Sequence, residues 1–122
     1  MKQPGPTLML CRLQDLPERG ARGFDLNGEG RDSIFVVRVG ASVHGYRNAC
    51  PHVAGAPMPW RKDAYLNADA SRIVCHGHGA QFDIATGECL VGPCLGEALT
   101  RVTLSVSDDG AVLLEAGDLT QT

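Results

Sequence analysis

Residues 49–96 hold four of the five cysteines, three of the four histidines, six glycines and four of the seven prolines of this 122-residue chain. This concentration constrains the fold more than any other feature. Ordering a segment so rich in loop-forming residues costs much conformational entropy, and the segment has little apolar surface to offset it. Something besides a hydrophobic core must hold it, and clustered Cys and His are the side chains through which a bound metal does so. An odd cysteine count, with no long apolar stretch behind Met1–Pro6, is not the pattern of a secreted disulfide framework. The expected location is therefore cytoplasmic.

The flanks read as strands separated by Gly, Pro, Asp and Asn. Thr7–Arg12 is a first strand, Gln14–Arg22 is turn-like with at most one helical turn, and Gly23–Leu26 is a second strand closed by Asn27-Gly28-Glu29-Gly30. Ser33–Val39 and Ser42–Asn48 flank Gly40-Ala41, a two-residue loop with Gly first, as a type II′ hairpin requires. In Arg101–Ser107, Val102, Leu104 and Val106 alternate with Thr103, Ser105 and Ser107, which is the period of a half-buried strand. Asp108-Asp109-Gly110 then turns the chain into Ala111–Glu115. No run of ten or more residues keeps a helical period. The expected fold is all-β and antiparallel, in one domain. Its base is formed by about 1–44 and 97–122, and residues of about 45–96 form a smaller, loop-rich subdomain.

Composition narrows the function classes. A net charge of −3, with basic residues scattered and only Arg61-Lys62 adjacent, does not suit nucleic-acid binding. No apolar run reaches the ~18 residues that a membrane helix needs.

Two short motifs carry the chemistry: Cys50-Pro51-His52 and Cys75-His76-Gly77-His78. Each follows a plausible strand, Val43–Asn48 and Arg72–Val74, and each precedes small residues. Two loops thus offer one thiolate and one imidazole apiece. Thiolates favour iron–sulfur centres or zinc. Two Cys on one iron and two His on the other make an asymmetric 2Fe–2S centre. Bridging sulfides need N–H donors at close range, which Gly55, Gly77 and Gly79 permit because no Cβ stands in the way.

With Phe82, Thr86-Gly87 and Gly92-Pro93 following in order, the chain resembles the Rieske-type 2Fe–2S ferredoxins, closely over about 45–96 and loosely in the hairpins around it. The resemblance implies one Rieske 2Fe–2S cluster. Cys50 and Cys75 would hold an inner iron, and His52 and His78 an outer iron near the surface. Gly55, Gly77, Gly79 and Pro93 would surround the cluster. High-potential relatives carry an extra, disulfide-bonded Cys in each ligand loop and a hydroxyl after the second motif; this chain has Gly55 and Gly77, then Ala80 and Phe82. That implies the lower end of the Rieske range, roughly −150 mV.

The expected function is that of a one-electron carrier rather than an enzyme, taking electrons from a flavoprotein reductase to a terminal oxygenase or reductase. A small subunit of a nitrite-reductase-like complex is the alternative. A Cys₂His₂ zinc clip in an interaction module, and an iron–sulfur sensor, also stay open at this stage. His76 is expected beside the site or facing solvent, and His44 as a structural strand residue. Cys11, Cys89 and Cys94 are expected as small apolar side chains, with a redox pairing of Cys89 and Cys94 as the other reading. Trp60, Tyr65 and Arg61-Lys62 lie in the 22-residue spacer between His52 and Cys75; either Trp60 packs under the cluster loop or the group marks a docking patch, and Pro57 and Met58 fit either reading.

Overall fold

The computed structural model describes residues 7–26, 28, 30, 32–49, 63–75, 79–92 and 95–115. Ten strands run through them: β1 (Thr7–Arg12), β2 (Arg19–Phe24), β3 (Ile34–Val39), β4 (Ser42–Arg47), β5 (Ile73–Cys75), β6 (Ala80–Phe82), β7 (Cys89–Val91), β8 (Arg101–Val102), β9 (Leu104–Val106) and β10 (Ala111–Glu115). One 3-10 turn, Leu13–Asp15, is the only helical element among them. Among the described residues, no helix is long and apolar enough to cross a membrane. The strands form three antiparallel sheets, ordered β1-β10-β9, β2-β3-β4-β8 and β5-β6-β7. The all-β expectation holds.

The four-stranded sheet is the centre of the molecule. Its strand β3 begins Ile34-Phe35-Val36-Val37, and all four side chains are buried. A continuous apolar run of that kind belongs to a strand covered on both faces. Phe35 and Val37 join Tyr46 in a core with Ile73, Cys75, Ala80, Phe82 and Cys89 of the β5-β6-β7 sheet. On the opposite face, Ile34 and Val36 pack with Val112 and Leu114 of β10 and with Cys11 of β1. Burying each large apolar side chain stabilises by about 1.5–3 kcal/mol, so these two cores hold the base sheets and the 73–91 sheet to one another.

Strand boundaries differ from expectation at three places. The second strand is Arg19–Phe24, not Gly23–Leu26, so most of the segment read as turn-like is extended. Its Gly-Ala-Arg-Gly composition suggests a turn, but Gly20 and Gly23 are there because Pro17 and the Asp32 carboxylate lie where a Cβ would go. The Arg101–Ser107 run breaks at Thr103. β8 pairs with β4 and β9 with β10, so a single alternating pattern serves two sheets. The strand expected at Arg72–Val74 is Ile73–Cys75. The β3–β4 hairpin turns at Gly40-Ala41 as expected, with positive φ at Gly40 and not at Ala41.

Candidate metal centre

Cys75 is the last residue of β5 and is 2% exposed. It pairs with Ala80 at the start of β6, and the Gly79 N–H donates to the Cys75 carbonyl at 2.8 Å. Cys75 and Gly79, which bracket the rest of the second motif, are therefore held together at the end of a buried strand pair. Gly79 has φ +74°, in the left-handed region that disfavours side chains. Ala80, opposite Cys75, and Phe82, opposite Ile73, are fully buried. Neither side chain has a hydrogen to donate to a sulfur.

Gly92 lies against the start of β6. A Cβ on Gly92 would stand 2.8 Å from the Ala80 Cα, and its φ is +111°. The chain entering the Gly-Pro segment thus lies directly on β6, beside the second ligand loop, with no room for a side chain between.

The approach to the first loop is anchored as well. Beyond β4, the Asn48 N–H donates to the Ser33 carbonyl at 3.0 Å, and Asn48 Nδ2 donates to the Asp32 carbonyl at 2.9 Å. These bonds lie two residues before Cys50. Cys50, His52, Gly55, Gly77, His78 and Pro93 lie outside the described residues, as do Trp60, His76 and Cys94. Cys11 and Cys89 are buried as expected, and the Cys89 Sγ lies 3.4 Å from the Val91 carbonyl. Among the described residues, no three His, Cys, Asp or Glu side chains form another metal-holding group.

Sequence reasoning missed the support for these loops. Tyr65, in the spacer, is fully buried and stacks on Phe35 with ring centroids 4.1 Å apart. Its Oη–H donates to Asp32 Oδ2 at 3.1 Å. Burial, with the Asp32 carboxylate beside it, pushes this phenol well above its ordinary range, so it remains a donor. Asp63 accepts from the Gly23 N–H at 2.8 Å, so the spacer's end meets the edge of β2. Tyr46 is buried too, and its Oη–H donates to the Ile84 carbonyl at 2.6 Å. The signal for both tyrosines was their position flanking the motifs, but burial depends on partners distant in sequence.

His44 is a strand residue, as expected. It is half-buried in a groove of about 320 Å³ with Arg19, Ser42, Ser71 and Asp83. Burial, and then Arg101, lower its pKa below the ordinary 6.5, while Asp83 opposes them. The unfolded chain therefore takes up this proton first as pH falls. His44's contribution to stability is full above about pH 6.5 and is lost as pH falls through the folded value. His44→Gln is expected to reduce the difference between urea midpoints at about pH 7.5 and about pH 5.5. A variant that keeps the parent's full difference would contradict this.

The donor set suits an iron–sulfur centre: two thiolate–imidazole pairs on two loops, with one thiol shown at the buried base of its hairpin. Residues 7–108 match the Rieske [2Fe-2S] domain family. The chain belongs to the Rieske family, and its cofactor is one Rieske 2Fe–2S cluster; the zinc-clip reading is set aside. Fold and family define an electron-transfer component.

Among solved structures, the chain is similar to the ferredoxin of carbazole 1,9a-dioxygenase from Nocardioides aromaticivorans IC177. The two are 27% identical, with a TM-score of 0.68, covering 88% of this chain and 95% of that one. The Sphingomonas yanoikuyae B1 ferredoxin shares the fold at 23% identity, with a TM-score of 0.66, over 90% and 98% of the two chains. A Mycobacterium tuberculosis chain named as an NADH-dependent nitrite reductase small subunit shares it at 17% identity, with a TM-score of 0.65, over 92% and 96%.

Proposed function

We propose that the protein carries single electrons between a flavoprotein reductase and a terminal oxygenase, with Cys50, His52, Cys75 and His78 holding the cluster. The observation that supports this most is the buried Cys75 at the end of β5, inside a Rieske match that spans both motifs. When bound, the cluster accepts and releases one electron without bond rearrangement. The chain's own residues do the rest. Cys50 and Cys75 would supply negative charge to one iron. His52 and His78 would supply neutral donors to the other and offer the route for the electron to a partner. Gly55, Gly77 and Gly79 would leave room for backbone N–H groups to approach the sulfides, and Pro93 would help cover the cluster. Ala80 and Phe82 withhold hydroxyl donors, which favours the low end of the Rieske range, roughly −150 mV.

Residues of about 45–96 act as the cluster subdomain on a base of about 1–44 and 97–122, a division supported by the separate β5-β6-β7 sheet. The oxygenase reading draws on the size and identity of the carbazole-dioxygenase ferredoxin, and on a related structure described as a complex of reduced oxygenase and oxidized ferredoxin. A nitrite-reductase small subunit is the second reading, supported by the M. tuberculosis likeness. Catalysis then belongs to the partner, and the expected setting is cytoplasmic.

The test is iron and acid-labile sulfide analysis with electron paramagnetic resonance of the dithionite-reduced protein. The expected result is equal iron and sulfide and a rhombic signal that appears only on reduction. A colourless protein with no sulfide and no signal would overturn the reading. Pull-down with a stable larger chain would favour the nitrite-reductase arrangement over a free carrier.

A further inference from the structure

The strands leading into the two motifs lie in different sheets. β4, which ends three residues before Cys50, belongs to the central sheet, and β5, which ends at Cys75, belongs to the smaller one. Among the described residues no strand ladder connects these sheets, yet a centre bridging both loops needs its ligand atoms at one fixed separation. That separation depends on whatever crosses between the sheets. Part of the crossing is backbone. Residues 97–100 bond the start of β7 on one side, through Cys89 N–H to Glu97 O and Leu99 N–H to Gly87 O. They bond β4 on the other, through Arg47 N–H to Thr100 O, all at 2.9 Å.

The rest is made by two side chains reaching in opposite senses. Tyr46 leaves β4, four residues before Cys50, and ties its hydroxyl to Ile84 in the turn after β6. Its cross-strand partner Arg101 donates to Ala85 in the same turn. Tyr65 leaves the limb of the second motif, where its carbonyl accepts from the Val74 N–H at 2.8 Å, and ties its hydroxyl to the Asp32 carboxylate. The carbonyl of that same Asp32 holds Asn48, on the limb of the first motif. Asp32 therefore joins the two limbs through one residue.

We propose that Tyr46 and Tyr65 are positioning residues for the iron–sulfur centre, a reciprocal clasp whose two buried hydroxyls tie the strand segments that lead into the two motifs to one another. This rests on the ligand assignment above. Each ring is fully buried, so packing alone fills the space. The hydroxyls add a directional tie, and a phenylalanine at either position would keep the packing and lose that tie.

The test compares Tyr46→Phe and Tyr65→Phe with Leu114→Val. Leu114 is buried in the β1-β10-β9 sheet, in a cluster that contains no residue of the 73–91 sheet, and serves as a control for lost stability alone. Holoproteins are exposed to an iron chelator at a temperature where all remain folded by circular dichroism, and the reduced spectra are recorded. Each tyrosine variant is expected to release iron about fivefold faster than the parent, the effect of one net hydrogen bond, with a shifted or broadened rhombic signal. Leu114→Val is expected to lower the melting temperature yet keep the parental release rate and line shape. Parental release and line shape in both tyrosine variants would overturn the clasp. So would release that merely tracks melting temperature across all three. A parent protein with no rhombic signal would instead overturn the ligand assignment, and the clasp with it.

Discussion

Cys75→Ala is expected to yield a protein without its cluster: iron and acid-labile sulfide near zero, no visible colour and no signal on reduction. The ligand form of cysteine is the thiolate, and the Cys75 side chain is 2% exposed at the foot of its hairpin. A negative charge at so dry a position needs a cation bound to it, which the cluster iron provides. Alanine removes the thiol, and Ala80, directly opposite, has no donor atom in its side chain to replace it. The effect should spread through the loops but not through the base. The core joining Ile34, Val36, Val112 and Leu114 contains nothing from the 73–91 sheet. Far-UV circular dichroism is therefore expected to keep its β signal while the loops of 49–96 gain protease sensitivity. Full iron and sulfide in Cys75→Ala would remove Cys75 from the ligand set.

The parts of this fold that were legible in the sequence are those set by local chemistry. Gly40-Ala41 and Asp108-Asp109-Gly110 announce their turns because few other residues turn a chain so tightly. The family was legible because thiolate and imidazole at short spacing have few uses besides metal binding. What stayed hidden depends on partners far along the chain. β2 looks like a turn until Asp32 and Tyr65 are seen to occupy the space above Gly23. Thr103 sits in an unbroken alternation, and only the choice of neighbouring strand tells that β8 and β9 serve different sheets. Asp32 reads as an ordinary turn residue, and its role appears only when Asn48 and Tyr65 converge on it from 16 and 33 residues away.

The second large effect is expected at Gly87→Ala. Gly87 ends the Asp83–Gly87 turn, where its N–H donates to the Asp83 carbonyl at 2.8 Å. Two penalties coincide there. Its φ of +77° lies in the left-handed region, which costs an alanine about 1–2 kcal/mol. The new Cβ would also stand 2.7 Å from the Tyr46 ring, against which neither side has room to move. Tyr46 is fully buried and tied at its hydroxyl to Ile84, and forcing an extra methyl into such packing costs about 1–3 kcal/mol. Together the loss is about 2–5 kcal/mol, a large fraction of the 5–15 kcal/mol that keeps a domain folded. Gly110→Ala isolates the first term. Gly110 has a similar φ of +87° but open space where a Cβ would go, so only the backbone cost of about 1–2 kcal/mol applies. Urea unfolding of the two variants against the parent should separate them by about 1–3 kcal/mol, with iron release accelerated in Gly87→Ala alone, because only that methyl pushes on the ring joining the strand segments that lead into the two motifs. Equal losses in the two variants would mean that the Tyr46 ring does not pack on this turn, and the account of how those segments are held together would fall with it.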